Sequence, residues 1–236
     1  IDRVDRYEED DTIYVKVIDY KSGNTALDLT SVYHGLQLQL IVYLNAALEL
    51  EEKNHPGKHA EPAGMFYYHV KDPLVDGKPG DEEEEIERKL LEKLKVDGLV
   101  RAEEKILKDL DRELEAGKKS LVIPAAYNKN GSLSSRSKTA SKEQFEELCA
   151  YVNDKISENG TRILGGEMEK NPYKLKQRTA CDYCSFKEIC GFDEKQEGNS
   201  FRRLPAFSDE ELWKKMREKG EKEDGDEVDA RTAEGH

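Results

Sequence analysis

The sequence lacks several features that mark whole classes of protein. None of its 236 residues lie in an apolar run near the roughly 18 residues that a membrane-spanning helix needs. The N-terminus does not resemble a signal peptide, and the sequence contains neither internal repeats nor an ATP-binding Gly-x4-Gly-Lys-Ser/Thr loop. We therefore expect a soluble intracellular protein with one large or two small domains, with any ATP-driven motor encoded elsewhere. The chain begins with Ile1, inside a predicted strand, so we expect it to be part of a longer protein.

Cysteine is scarce and positive charge is in deficit. Four cysteines in an intracellular chain favour metal binding or buried thiols over disulfides. A net charge of −13 argues against a protein that coats nucleic acid through many phosphate contacts. The charge is segregated, however, because residues 117–142 contain six basic residues and no acid. That segment either contacts the phosphates of a single strand or forms a solvated loop, and its candidate DNA-binding residues are Lys129, Arg136 and Lys138.

Hydrophobic periodicity predicts an α/β protein. Residues 1–7 and 12–21 alternate as the two strands of a hairpin, and a helix capped by Thr30 or Ser31 follows to about residue 53. The later predicted elements are a strand at 64–70, helices at 82–95, 100–116 and 142–158, an ordered unit at 171–212, and an acidic disordered tail after 218. We expect three parts: an α/β core at 1–170 that lacks its N-terminal part, a cysteine-rich segment at 171–212, and a terminal helix with the tail at 213–236.

A carboxylate and an ammonium group share one face at the end of the second strand. Asp19 and Lys21 are two residues apart, so in a strand their side chains point the same way. Hydrolysis of a phosphodiester needs a cation that neutralises charge and acidifies water, and Mg²⁺ prefers carboxylate ligands. The hairpin would bring Asp2 alongside as a second carboxylate. Asp5 is a possible substitute, but it lies on the opposite face from Asp2. A surface ion pair is the alternative interpretation of the Asp-x-Lys motif alone.

The surrounding motifs resemble the RecB-like branch of the PD-(D/E)xK nucleases. The residues that carry this resemblance are Ile1-Asp2, Asp19-Tyr20-Lys21 and the Gln39 to Tyr43 segment of the following helix. The resemblance implies a restriction-endonuclease-like core, a mixed sheet flanked by helices. It implies that Asp2, Asp19 and the carbonyl of Tyr20 bind Mg²⁺, that Lys21 is the catalytic lysine, and that Gln39 and Tyr43 line the site. The family also places its first acidic or histidine motif upstream of the segment matched here.

The second motif is Cys181-x2-Cys184-x5-Cys190. Three cysteines at this spacing can place their thiolates on one zinc ion or iron-sulfur cluster, with a fourth ligand from Cys149, a histidine or an upstream residue. Cys149 lies on the apolar face of a predicted helix, which favours a buried thiol instead. The box from Ala180 to Asp193 resembles that of AddB-type helicase-nuclease subunits and related exonucleases. That resemblance implies a 4Fe-4S cluster held by these three cysteines and one upstream.

Taken together, the resemblance to the AddB type extends from Ile1 to about Leu204. It implies a Mg²⁺-dependent exonuclease that acts on single-stranded DNA produced by unwinding, in double-strand-break repair and recombination. It further implies an AddA-type partner subunit and the bacterial cytoplasm. The alternative from another class is an iron-sulfur or zinc module that binds DNA or supports structure, with a lapsed or incomplete nuclease site.

Overall fold

The structure, a computed structural model, describes residues 1–77, 80 and 82–220. Its contacts divide the chain into two compact units. The first consists of Ile1–Asp28 with Gln37–Val152, and the second of Leu29–Leu36 with Asn153–His236, of which residues up to 220 are described. The three-part division expected from the sequence stays a prediction, and most of its proposed tail lies outside the described residues.

A five-stranded mixed sheet forms the centre of the first unit. Its strands, in spatial order, are β1 (Arg3–Glu9), β2 (Thr12–Lys21), β3 (His59–His69), β4 (Asp97–Arg101) and β5 (Thr139–Ala140). The β1/β2 and β3/β4 pairs are antiparallel, and the β2/β3 and β4/β5 pairs are parallel. The predicted hairpin and the mixed α/β class are thus confirmed. The iron-sulfur staple stays a prediction.

Helices make up most of the remaining regular structure. The helices of the described residues are α1 (Leu29–Tyr33), α2 (Gln39–Asn54), α3 (Glu83–Leu94), α4 (Glu104–Leu110), α5 (Lys142–Leu164), α6 (Lys187–Cys190) and α7 (209–220). Within α2, Leu40, Ile41 and Leu44 are fully buried, and each stabilises the fold by about 1.5–3 kcal/mol. Among the described residues, no helix has the length and apolar character needed to cross a membrane.

The single helix predicted from Thr30 or Ser31 to residue 53 is wrong. Two helices occupy this region, separated by Gly35, whose φ of 77° is a left-handed value that ends a helix. The second helix begins at Gln39, with Leu38 at its N-cap and no side-chain cap. Sequence periodicity continued through the break because the apolar residues on both sides are buried.

The helix predicted at 100–116 is also wrong, because its first residues belong to β4 and only α4 is helical. Gly98 explains the strand: a Cβ atom at this position would lie 2.0 Å from the carbonyl oxygen of Met65 on β3. The two backbones approach too closely for any residue with a side chain. Tertiary pairing therefore overrides the helical pattern of the following residues.

Three other predictions agree with the structure in part. The helices predicted at 82–95 and 142–158 are present as α3 and as the longer α5, in which Phe145 is buried but Ile156 is 41% exposed. The strand predicted at 64–70 is β3, which begins earlier, at His59. In the second unit, β6 (Tyr173–Leu175) lies between β7 (Arg178–Thr179) and β8 (Arg202–Leu204), and Trp213 of α7 is buried.

Candidate functional site

Asp19 and Lys21 lie at the end of the buried face of β2. Ile13, Val15 and Val17 are fully buried on that face, and Asp19 continues the same alternation with only 4% of its surface exposed. The Lys21 Nζ atom lies 2.6 Å from the Asp19 Oδ2 atom. This oxygen is buried, and the Lys21 ammonium is its charged partner among the described residues. A buried carboxylate is costly unless such a cation lies beside it.

The two polar residues predicted on the following helix meet Lys21. Gln39 is the first residue of α2, and its Oε1 atom accepts a hydrogen bond of 2.8 Å from Lys21 Nζ. Its Nε2 atom donates one of 2.8 Å to the hydroxyl of Tyr43, one helical turn later. The ammonium group is therefore held between a carboxylate and an amide, and the amide is itself oriented by the phenol.

Asp2 lies beside the same strand end. The Oδ2 atom of Asp2 accepts a hydrogen bond of 2.7 Å from the backbone N–H of Tyr20. Since Arg3 is opposite Ile18 in the β1/β2 register, one further step sets Asp2 opposite Asp19 on the same face. Asp5 instead pairs with Lys16, 2.9 Å away, on the other face of the hairpin. Asp5 is thus excluded as a neighbour of Asp19.

A row of residues runs across the sheet from Asp2 through Asp19. Sequence reasoning missed a third acidic residue in this row, Asp97. Asp19 is opposite Tyr67 in the β2/β3 register, and Tyr67 is opposite Asp97 in the β3/β4 register. Burial raises the pKa of Tyr67 to about 12, and the charges of Asp19 and Asp97 also raise it. The Tyr67 phenol is consequently protonated at neutral pH. The one available sequence signal was an acid at the start of the short apolar run that became β4.

The segment after Lys21 is fixed by hydrogen bonds from several elements. Asp97 Oδ2 accepts the backbone N–H of Leu27 at 2.7 Å, and His69 Nε2 lies 2.8 Å from the carbonyl oxygen of Thr25. The side chain of Gln37 donates to the carbonyl of Ala26 and accepts the N–H of residue 28, both at 2.9 Å. His69 therefore contacts backbone, as expected for a structural histidine. The site retains its shape through these contacts with the chain.

This donor set fits Mg²⁺. No group of three or more His, Cys, Asp or Glu side chains within the described part of the chain is arranged to hold a metal ion. Mg²⁺, however, is usually held by one or two carboxylates with several waters retained. Asp2 and Asp19 supply two carboxylates and the Tyr20 carbonyl is a further oxygen, so this strand end offers the oxygen ligands that Mg²⁺ prefers.

The three cysteines of the box lie near one another in the second unit. The backbone N–H of Cys184 lies 3.5 Å from the carbonyl oxygen of Cys181, and Cys190 ends α6. Burial raises the pKa of the Cys181 thiol, and the charges of Cys184 and Cys190 raise it further. Their sulfur donor set suits iron or zinc, although the described side chains do not converge as a metal group.

The environment of the Cys149 thiol differs from that of the three cysteines of the box. Burial raises the pKa of its thiol to about 12, with a smaller contribution from Glu146. A thiol of this kind is protonated at neutral pH and behaves as a small apolar group. This agrees with the interpretation of Cys149 as a buried thiol.

The three candidate DNA-binding residues are exposed, but they differ in their partners. Lys138 Nζ lies 2.5 Å from Asp97 Oδ1, so this lysine is linked to the row of residues across the sheet. Among the described residues, Lys129 and Arg136 have no acidic partner within 4 Å. Two of the three, Arg136 and Lys138, line the same cleft.

Comparison with known proteins bears on this arrangement. The profile of the PD-(D/E)XK nuclease superfamily matches residues 1–191, which include the hairpin, Gln39, Tyr43 and the cysteine box. The chain belongs to the PD-(D/E)XK nuclease superfamily. The matched residues include Asp19, Tyr20 and Lys21, where the structure has the buried carboxylate and its ammonium partner.

Curated relatives cover nearly the whole chain. An ATP-dependent helicase/deoxyribonuclease subunit of Lachnoclostridium phytofermentans is 43% identical over 100% of this chain and 21% of its own length. Proteins of the same name from Thermoanaerobacter sp. and Listeria welshimeri are 38% and 41% identical over 97% and 92% of this chain, and 20% and 19% of their own lengths. The chain spans about a fifth of the length of these relatives.

Proposed function

We propose that this chain hydrolyses phosphodiester bonds of DNA, with Mg²⁺, at the end of the β1/β2 hairpin. The observation that carries the proposal is the buried Asp19 carboxylate, paired with the Lys21 ammonium at the strand end that the nuclease profile covers. A surface ion pair, the alternative interpretation of the motif, does not explain a carboxylate that is only 4% exposed.

Asp2, Asp19 and the backbone carbonyl of Tyr20 would hold the ion. When bound, Mg²⁺ supplies charge neutralisation at the phosphate and acidifies a coordinated water. Lys21, held by Asp19 and Gln39, directs its positive charge toward the group on which negative charge develops. Gln39 and Tyr43 fix the position of that ammonium group, so no rearrangement is needed during the reaction.

The cysteine box forms the second part of the proposal. Cys181, Cys184 and Cys190 are proposed to hold a 4Fe-4S cluster, with a fourth ligand from outside this set. The mutual effects of the three thiols on the pKa of Cys181 support their proximity. Zinc is the competing occupant because it accepts the same thiolate donors.

The biological role follows from the names of the relatives. They are called subunits of an ATP-dependent helicase/deoxyribonuclease, so we propose that this chain acts with a second, AddA-type subunit in the bacterial cytoplasm. Its substrate would be a single strand produced by unwinding during double-strand-break repair and recombination. Lys129, Arg136 and Lys138 are proposed to contact the phosphates of that strand.

The hairpin offers a matched pair of substitutions to test the nuclease function. Asp19→Asn should abolish Mg²⁺-dependent cleavage of labelled single-stranded DNA and weaken Mn²⁺ binding measured by electron paramagnetic resonance. Asp5→Asn removes a carboxylate from the opposite face and should leave both unchanged. Full cleavage by Asp19→Asn would refute the proposal and favour the lapsed DNA-binding or structural module instead.

A further inference from the structure

A cleft beside β4 concentrates positive charge on a chain whose net charge is −13. The cleft has a volume of about 500 Å³, and Asp97 is its one acidic lining residue among those that the structure describes. Its basic lining residues are Lys95, Lys118, Lys119, Arg136 and Lys138. Five cations therefore face one carboxylate, the reverse of the composition of the chain as a whole.

Most of this charge is not neutralised within the protein. Lys138 pairs with Asp97, and Lys118 lies 3.1 Å from Glu115 on its own segment. Lys95, Lys119 and Arg136 have no acidic partner within 4 Å in the described ranges. Burial lowers the pKa of Lys95 and the charge of Lys119 lowers it further, against the opposing effects of Glu92 and Asp97. A bound anion would relieve this repulsion.

The walls of the cleft are fixed. Lys119 and Ala126 form a β-bridge, and the backbone N–H of Lys138 donates to the carbonyl of Pro124 at 2.8 Å. Beneath them lies a buried apolar cluster formed by Ile18, Phe66, Val100, Leu107, Leu114, Ile123 and Ala125. The basic residues thus project from a hydrogen-bonded platform, and the alternative of a freely solvated loop does not describe the residues that line the cleft.

Asp97 connects the cleft to the proposed catalytic row. It lines the cleft and is opposite Tyr67, which is opposite Asp19. Two strand spacings separate Asp97 from Asp19, about 10 Å along the sheet. Such a distance lies within the reach of a few nucleotides of one extended strand.

We propose that this cleft binds the sugar-phosphate backbone of single-stranded DNA a few phosphates away from the bond that is cut. The inference rests on the proposed nuclease function and deepens it, because it assigns the binding of the substrate to Lys95, Lys119 and Arg136. The cleft has the volume of a small-ligand site, which suits one strand and not the width of a duplex. Backbone contacts of this kind predict binding with little sequence preference and strong dependence on salt.

A double substitution in the full chain tests the cleft. Lys119→Gln with Arg136→Gln removes two unpaired cations, and Lys53→Gln with Arg112→Gln removes the same two residue types from exposed positions outside the cleft. Affinity for a fluorescein-labelled oligothymidylate is measured by anisotropy in EDTA across a range of salt concentrations. The cleft variant should bind about tenfold more weakly near 0.1 M salt, and its salt slope should fall by about 1.4, or roughly 0.7 per cation. The control should match the unaltered chain.

A further variant distinguishes the loss of positive charge from misfolding. The exchange Lys119→Arg with Arg136→Lys keeps both charges and should retain the full salt slope. Equal affinity and slope in the cleft variant and the control would overturn the proposal, as would loss of binding in the charge-preserving exchange. The proposal would also be overturned if the unaltered chain did not bind DNA. Equal displacement of DNA by polyglutamate from the control variant and from the cleft variant would overturn it as well.

Cleavage of the same oligonucleotide with Mg²⁺ distinguishes this inference from the proposed function. If the unaltered chain does not cleave but the cleft variant loses affinity in EDTA as expected, the nuclease function fails and the binding site stands. If the unaltered chain cleaves and the cleft variant binds normally, the nuclease function stands and the cleft assignment fails.

Discussion

The two candidate metal sites of this chain are built in different ways. The hairpin site draws its side chains from strands whose register fixes them, and Asp19 is almost completely buried beside Lys21. The cysteine box lies in short turns around α6, where Cys184 and Cys190 are exposed. Side-chain hydrogen bonds orient the first site, whereas the described residues of the second are held mainly by backbone hydrogen bonds and by the contacts between Thr179 and Asp182.

The difference indicates which site depends on its ligand for order. In the hairpin site, Lys21, Gln39 and Tyr43 form a continuous set of contacts without any metal. Around the cysteines, Tyr183 is 100% exposed and Ile189 is 85% exposed, so little apolar burial stabilises this segment. Small segments of this kind commonly gain their folding free energy from a bound metal. We therefore expect metal removal to affect folding at the cysteine box and only catalysis at the hairpin.

The largest expected effect concerns Lys21. Replacing Lys21 with Ala removes the ammonium group that lies 2.6 Å from Asp19, and we expect kcat for DNA cleavage to fall by about 10²- to 10³-fold. The melting temperature without metal should fall as well, because the substitution leaves the buried Asp19 carboxylate without its positive partner. Lys16→Ala on the opposite face of the same strand is the control and should keep its activity. A Lys21→Ala variant that cleaves normally would remove this residue from the mechanism.

The parts of this site that sequence could predict are those set by local spacing. A spacing of two residues on a strand places Asp19 and Lys21 on one face, and a spacing of one helical turn places Gln39 next to Tyr43. Asp97 could not be predicted in the same way, because its position beside Tyr67 depends on pairing between strands distant in the sequence. Local periodicity contains no information about that pairing.

The same distinction applies to the fold. The β1/β2 hairpin was predictable because its strands alternate and are adjacent in sequence. The last two residues of β4 were assigned to the following helix because the close approach of Gly98 to Met65 is a tertiary fact, and the break at Gly35 was hidden by apolar residues on both sides. The cysteine spacing predicted a ligand set, but spacing alone does not determine whether three thiols converge.

The second prediction tests the cysteine box. In chain purified without oxygen, Cys184→Ser should reduce bound iron to background and lower the melting temperature of the cysteine segment, because a structural metal contributes about 10 kcal/mol or more to folding. The Cys149→Ala variant should retain the metal of the cysteine box, since burial keeps the Cys149 thiol protonated. Metal analysis and the visible absorbance spectrum are the measurements. Zinc in place of an equal amount of iron would rule out the 4Fe-4S cluster. Metal retained by Cys184→Ser would rule out Cys184 as a ligand.

A smaller effect is expected from Gln39. Gln39→Ala leaves Lys21 paired with Asp19 but removes the amide that orients the ammonium group, so we expect kcat to fall about tenfold with KM nearly unchanged. Gln37→Ala is the variant with which Gln39→Ala is compared. It removes a side chain that contacts the carbonyl of Ala26, in the segment after Lys21. A rise in KM without a change in kcat would assign Gln39 to substrate binding instead.

The smallest effect concerns Tyr67, and it appears only at high pH. The pKa of this phenol is raised to about 12 in the fold from 10.0, so the folded state retains a proton that the unfolded state loses between these values. The stability contributed by the neutral phenol is complete below pH 10 and is lost as pH rises toward 12, at a limiting slope of about 1.4 kcal/mol per pH unit. Urea unfolding across this range should show a shallower slope for Tyr67→Phe, whereas Tyr20→Phe, which alters an exposed phenol, should leave it unchanged. Identical slopes for Tyr67→Phe and the unaltered chain would mean that neither burial nor the charges of Asp19 and Asp97 raise the pKa of this phenol in the fold.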